Sequence, residues 1–319
     1  MRGDKPRVVV IGGVYVDMAV RCVDFPATGQ TVAGSGFSYA PAGAGLNQAV
    51  QAALCGCEVF LAGKVGKDDF AQTIRKNLDS LGINNEFLFE VDAKNTGVIV
   101  SFVNSSGANR TVISEGANRA LVDSDIRTEE FEKLLESADV CLINGGLSGD
   151  FVCAAIRAAK LARTKVILDP AVSGEQLQNT NAHLPLDYYT ADILVPNFAE
   201  AAELIAAAGH NVHTAKIIGT DLIARGAGCA IIKLGKKGAV VVDRENATHI
   251  PAFNVECVDR TGCGDAFDGA LAASLAVGDE IIKAAKFASA AGALACSKFG
   301  AMEALPKKME IIQLLQTLP

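Results

Sequence analysis

The amino-acid sequence predicts an α/β fold built on a central, mostly parallel sheet with a small β lid, and three observations carry that reading. Short apolar runs (Arg7 to Ile11, which is β-branched, Val59 to Ala62, Val140 to Ile143, Lys165 to Leu168, Ile193 to Val195) alternate with helical-period segments such as Phe70 to Leu81 and Asp150 to Leu161. Strands separated by helices of this length need right-handed crossovers, and hence pair in parallel. Two β-rich excursions, about 14–39 and 95–114, interrupt the alternation and are positioned to pair with each other as a lid. At 319 residues, 50% of them hydrophobic, the chain can fill a large core, and no repeat, low-complexity tract or long linker divides it. Residues 1–319 are therefore read as one domain.

Charge excludes one class of function. The formal net charge is −7 and no basic run occurs, whereas an electrostatic grip on nucleic acid requires clustered Lys and Arg. The apolar run Val8 to Ile11 is too short for a signal-peptide core or a membrane span, which predicts a cytoplasmic protein with no membrane partner. The nine cysteines are scattered, and only Cys55 and Cys57 lie close in sequence. A lone C-x-C without a second pair is a weak zinc signal, and free thiols fit a reducing compartment.

Taken in order, the Arg7 to Ile11 strand closes on Gly12-Gly13, with Asp17 shortly beyond. Ligands of open α/β sheets gather past the carboxyl ends of strands, so Asp17 is either a substrate-hydroxyl ligand or a solvated loop acid. From Phe25 to Tyr39, Pro26, Gly29, Gly34 and Gly36 among Thr, Val, Phe and Tyr predict short exposed strands. Pro41 to Gln48 is a small-residue entry to a helix over Ala49 to Leu54, where the Asn47 amide either meets a sugar hydroxyl or faces solvent. Gly63 to Asp68 looks like a P-loop but fails: Glu58 stands where the first glycine belongs, and no Ser or Thr follows Lys64. Val98 to Val103 and Thr111 to Ser114 flank a hairpin tip at Asn104 to Asn109.

In the second half, Asn197 and Glu200 share one face of a helix start, as a capping box or as a holder of phosphate and of the water shell of Mg²⁺. Lys233, Gly235 and Gly238 mark a strand that turns and returns over Ala239 to Val242; they line a nucleotide cleft or are simply solvated. Lys283 to Ser297 is an Ala-rich helix against which a flat ring could lie, and Met309 to Leu318 reads as a short surface helix.

Val258 to Ala270 is the densest stretch. Gly262 and Gly264 allow a tight turn, and apolar residues recur at helical spacing from Ala266 onward. At such a helix start the amides of Gly262, Cys263 and Gly264 lack helical partners, and the helix dipole favours an anion. Asp265 is then either a helix cap or a general base beside an anion hole.

Thr261-Gly262-Cys263-Gly264-Asp265-Ala266-Phe267 resembles the C-terminal signature of the ribokinase-like (PfkB) family of carbohydrate and nucleoside kinases. Gly43 through Gln48 resembles its N-terminal signature, and Asn197 with Glu200 its N-x-x-E motif. The resemblance covers nearly the whole chain. It implies a ribokinase-like three-layer sandwich and an ATP-dependent kinase acting on a hydroxymethyl group of a sugar or sugar-containing small molecule. Asp265 would be the catalytic base and Gly262, Cys263 and Gly264 the anion hole. Asp17, Gly43 and Asn47 would touch the sugar, Asn197 and Glu200 would serve phosphate and Mg²⁺, and Lys233, Gly235, Gly238 and Ser289 would line the ATP site. Asp259, Thr261, Ala295, Lys298 and Gly300 would correspond to a K⁺ site, and the lid would pair two subunits into a homodimer.

Three positions depart from the family pattern. Ala44 stands in place of a substrate-contacting lysine, Tyr15 in place of an asparagine, and Gly146 where a glutamate is expected. Loss of three polar sugar contacts predicts an acceptor other than ribose, because sites built for hydroxyls discriminate strongly. The alternatives are a nucleoside kinase of the same family and a non-catalytic small-molecule binder.

Overall fold

The computed structural model describes residues 5–171, 184–205 and 207–317. The chain begins with β1 (Arg7–Ile11), β2 (Tyr15–Cys22), β3 (Gly34–Ala42), α1 (Ala44–Leu54), β4 (Glu58–Gly66), α2 (Asp69–Ser80), β5 (Leu88–Val91), β6 (Gly97–Val103) and β7 (Asn109–Ser114). It continues through α3 (Asp123–Ile126), α4 (Glu129–Ser137), β8 (Val140–Asn144), α5 (Gly149–Leu161), β9 (Lys165–Asp169), β10 (Ile193–Leu194), α6 (Phe198–Leu204) and α7 (Val212–Ala224). The last part comprises β11 (Cys229–Lys233), β12 (Ala239–Val242), β13 (Ala247–Ile250), α8 (Cys263–Ala276), α9 (Ile281–Cys296) and α10 (Lys308–Gln316).

The central sheet has nine strands in the order β13-β12-β11-β10-β9-β8-β1-β4-β5. Neighbours from β11 to β5 run parallel, and only β12 and β13 are antiparallel. β1 shows why its residues form an unbroken apolar run: Val8 and Val10 pack among α1, α8 and α9, while Val9 and Ile11 pack among α4, α5 and α7. A strand buried on both faces cannot alternate polar and apolar residues. The result is helix, sheet, helix: the parallel sheet that the strand and helix alternation predicts, in the three-layer sandwich that the resemblance implies. Phe131 of α4 is fully buried in the second layer, and truncating such a residue to alanine costs about 3–5 kcal/mol.

A second sheet has four strands in the order β3-β2-β6-β7, with β2 parallel to β6 and antiparallel to β3. Here the structure differs from the sequence reading. Asp17 lies within β2, paired with Ala40 and Ile99, not in a loop, and of the short strands expected over Phe25 to Tyr39 only β3 forms, beginning at Gly34 and leaving residues 25–33 without one. The P-loop look-alike is the second half of β4 and its exit, and the Lys64 ammonium is spent on Asp125 at 2.8 Å and the Ala120 carbonyl at 3.1 Å. No helix among the described residues is long and apolar enough to cross a membrane. Cys55 and Cys57 are buried thiols, pushed by burial up to about 11 and about 12.

Candidate active site

Backbone contacts at glycines bring the site together. A Cβ on Gly45 would lie 2.6 Å from the Gly12 backbone, so the end of β1 touches the first turn of α1 directly. A Cβ on Gly269 would lie 2.5 Å from the Gln48 carbonyl, so α8 lies equally close on α1. These approaches place Asn47 and Gln48 of α1 against Asp265 in the first turn of α8, beyond the carboxyl ends of β1, β9 and β11, where ligands of such sheets bind.

Gly262, at φ 74° in the left-handed region, is the N-cap of α8. The Cys263 amide donates to Arg260 O at 3.3 Å, whereas those of Gly262 and Gly264 meet no backbone acceptor among the described residues. Asp265 does not cap the helix. Its Oδ2 accepts from Asn47 Nδ2 at 2.8 Å and its Oδ1 from Gln48 Nε2 at 3.4 Å. Burial pushes its carboxyl up to about 7; the Asn47 hydrogen bond opposes this, the Asp169 charge adds to it, and Lys233 opposes it.

A charge cluster invisible in the motif lies beneath. Asp268, fully buried, accepts from Lys233 Nζ at 2.7 Å, and Asp169 Oδ1 is 3.6 Å from the same nitrogen. Asp169 Oδ2 accepts from Gln48 Nε2 at 3.0 Å and Asn144 Nδ2 at 2.9 Å. Burial disfavours the Lys233 ammonium, yet Asp169, Asp268 and Glu200 outweigh it and hold its pKa above the usual lysine value. Burial also pushes the Asp268 carboxyl up strongly, against the pull of Lys233. A Cβ on Gly264 would be 3.7 Å from Lys233 Nζ, so the ammonium stands just behind the glycine turn. Gln48, Asn144, Asp169 and Asp268 were not read as site residues from the sequence. Two signals were available: Asp169 ends a parallel strand, and Asp268 is an acid on an otherwise apolar helix face.

The Asn197–Glu200 pair does form the capping box, Glu200 N to Asn197 Oδ1 at 3.0 Å and Asn197 N to Glu200 Oε2 at 2.9 Å. It also faces the cluster: burial and then the Asp169 charge push the Glu200 carboxyl up to about 7. The Lys233 amide bonds to Pro196 O at 3.0 Å and thereby docks α6 against the end of β11. Gly238 is required by packing, since a Cβ there would fall 1.9 Å from Ile250 O, while Gly235, at φ 58°, opens onto free space. Ser289 Oγ on α9 is buried without a partner.

Asp259 and residues 295–300 meet. Val258 N and Asp259 N both reach Cys296 O, and the Asp259 carboxylate accepts from Thr261 N and Oγ1 and from Gly300 N. Burial raises its pKa, but these hydrogen bonds prevail and hold the carboxyl below the usual range. Lys298 pairs with Glu310 at 3.0 Å, and Ala295 O accepts from Lys298 N. This contact also brings Cys257 and Cys296 together, sulfur atoms 2.6 Å apart, a proximity that their separation in sequence hides.

On the other flank, Asp17 accepts from Ser101 Oγ at 3.4 Å; burial raises its pKa, and nearby Glu303 adds to the shift. Gly43 is the N-cap of α1 at φ 113°, Ala44 is the first residue of that helix, and Asn47 Oδ1 is buried without a partner. Tyr15 is buried. Cβ atoms on Gly13, Gly43 or Gly97 would each come within 2.9 Å of its ring, and its hydroxyl donates to Glu115 at 2.7 Å. Gly146 N donates to Asn144 Oδ1 at 3.2 Å. A cleft of about 700 Å³, lined by Met18, Phe70, Thr96, Val98, Glu115 and Arg119, lies apart from Asp265, on the face of β2 that carries Met18 and not Asp17.

Residues 5–308 match the model of the pfkB family of carbohydrate kinases. The chain belongs to that family. Among curated relatives, the Bacillus subtilis ribokinase is 31% identical over 97% of this chain and 99% of its own, and the Salmonella typhi deoxyribokinase 31% identical over 83% and 84%. Among solved structures, Arabidopsis thaliana ribokinase complexed with ribose and ATP superposes with a TM-score of 0.89 at 25% identity, over 98% of this chain and 99% of the other. The protein is an ATP-dependent sugar or nucleoside kinase with the ribokinase fold.

Proposed function

We propose that this pfkB-family kinase transfers the γ-phosphoryl group of ATP to a hydroxymethyl group of a sugar or sugar-containing small molecule, with Asp265 as general base. The observation that carries the reading is Asp265 itself: it is free of capping duty, held by one amide donor on each oxygen, and beside the uncommitted amides of Gly262 and Gly264. A carboxyl near 7 suits a base at neutral pH. Asp265 removes the acceptor proton as the hydroxyl oxygen attacks in line, and the turn amides, with Lys233 behind them, offset charge on the transferring group.

The residues fit the groups that the reaction needs. Asp169, Glu200, Asp265 and Asp268 face one lysine, a surplus of negative charge that suits a divalent cation, which Glu200 would hold through water beside Asn197. Mg²⁺ there would neutralise phosphate charge. The open turn at Gly235 and the unpartnered Ser289 Oγ suit a nucleotide along α9. Backbone oxygens of Asp259, Thr261, Ala295, Lys298 and Gly300 would hold K⁺, whose effect would be to order the loop that leads into the glycine turn. The Asp17 carboxylate and the free Asn47 Oδ1 are the acceptor ligands.

The four-stranded sheet acts as the lid, and it exposes Phe37, Tyr39, Val112 and Ile113, which supports a homodimer through it. The free thiols support a cytoplasmic site of action. The nucleoside reading needs a base-sized pocket near Tyr15; the cleft of about 700 Å³ reaches Glu115, the partner of the Tyr15 hydroxyl, but it opens on the face of β2 opposite Asp17. The test is a panel of sugars and nucleosides assayed for ATP-to-ADP conversion. A sugar other than ribose should be turned over best; turnover of nucleosides alone would replace the sugar reading, and binding without turnover would remove the kinase reading.

A further inference from the structure

Asp265 and Asp169 face each other across a single side chain. Gln48 Nε2 lies 3.0 Å from Asp169 Oδ2 and 3.4 Å from Asp265 Oδ1, and a primary amide nitrogen carries two hydrogens, one for each carboxylate. We propose that Gln48 is a positioning residue for phosphoryl transfer, its amide bridging the catalytic carboxylate to Asp169 and, through Asp169, to the Lys233–Asp268 pair. The proposal rests on the reading of Asp265 as base.

Three features carry the bridge. Asn47 holds Oδ2 of Asp265 and Gln48 holds Oδ1, so adjacent residues of α1 fix both the direction and the twist of the carboxylate. Gln48 cannot drift, because its second hydrogen is taken by Asp169, which the Asn144 amide fixes at the end of β9. Its backbone cannot drift either, since the Gln48 carbonyl abuts Gly269 of α8. The geometry is therefore a chain of contacts from the sheet to the base. It also separates two acids by a neutral donor, where direct contact would set like charges against each other.

Two substitutions probe the bridge in opposite senses. Gln48→Met keeps length and apolar bulk but removes the donor, so the ionised Asp265 loses a hydrogen bond and its titration should move to higher pH. Asp169→Asn still offers an oxygen to Gln48 and Asn144 but removes the negative charge facing Asp265, so the titration should move to lower pH. The other groups facing Asp265, namely Asn47, Lys233 and Asp268, are unchanged in both. The measurement is an NMR titration of protein labelled at its aspartate carboxyl carbons, with the Asp265 signal assigned by its loss in Asp265→Asn and folding of each variant checked by thermal melting. It needs no acceptor. The expected result is two shifts of opposite sign, each about half a pH unit or more. In parallel, with ATP and the acceptor turned over best in the panel of sugars and nucleosides, Gln48→Met should lower kcat about tenfold and leave the KM for that acceptor within about twofold. Shifts of the same sign, or an unmoved Asp265 signal, overturn the bridge. If Asp265→Asn turns over like the parent, the base reading falls, and this inference falls with it.

Discussion

The two sides of the site are built differently. On the side proposed for phosphoryl transfer Asp169, Lys233, Asp265 and Asp268 are packed between α1, α8 and the strand ends and tied to one another and to Asn47, Gln48 and Asn144, with Asp268 Oδ1, Gln48 Oε1 and Asn47 Oδ1 buried without a partner. On the proposed acceptor side Asp17 stands on a sheet whose outer strands are largely exposed, with a single side-chain hydrogen bond, from Ser101 Oγ. Charge-dense chemistry needs groups held in advance, because preorganised donors act without reorganising at the moment of reaction. An acceptor pocket can change its ligands without disturbing that machinery. Of the departures from the family pattern, Tyr15 and Ala44 lie beside Gly43 on the Asp17 flank, whereas Gly146 bonds to Asn144, which in turn holds Asp169 of the charge cluster.

The largest effect should come from the packed side. Asp265→Asn should lower kcat about a thousandfold, measured as ADP formation with the best acceptor of the panel. The same variant should melt higher than the parent at alkaline pH. The carboxyl is raised to about 7 in the folded protein, so its contribution to stability is full below the ordinary aspartate value and is lost as pH rises through about 7; asparagine does not ionise. Melting curves at pH 5 and pH 8.5 check this, and equal differences at both would show that Asp265 is not raised.

A smaller effect should follow from exchanging sodium for potassium, which should raise kcat several-fold by ordering Asp259 to Gly262; an unchanged rate would remove the ion site. On the open side, Ile113→Lys places a charge on an exposed strand and should shift a lid-mediated dimer toward monomer in sedimentation, with the fold intact. The smallest effect should be that of Tyr15→Phe. Losing the hydroxyl's bond to Glu115 should cost about 1 kcal/mol of stability, read by denaturant unfolding, and should leave the Asp265-dependent rate within about twofold.

The same division governs what could be read from the chain. β1, β8 and β9 announce themselves as continuous apolar runs because both of their faces are covered, and the glycine turn with Asp265 is local, so its motif is contiguous. β2 escaped because its exposure varies along its length, and its pairing with β6 is long-range. Cys257 with Cys296, and Lys233 with Asp268, are likewise partners only in space.

By itself the sequence determined the α/β class, the helix start at Gly262 and the candidacy of Asp265, because strand burial, helical period and glycine turns are set by neighbours along the chain. Tertiary structure alone decided whether Asp265 caps its helix or faces the site. Its carboxylate can serve only one set of donors, and Asn47 and Gln48 are delivered to it by the glycine contacts of α1 with β1 and α8. The Asp169–Lys233–Asp268 cluster was decided in the same way, since a buried charge is tolerated only where partners from other strands and helices meet it.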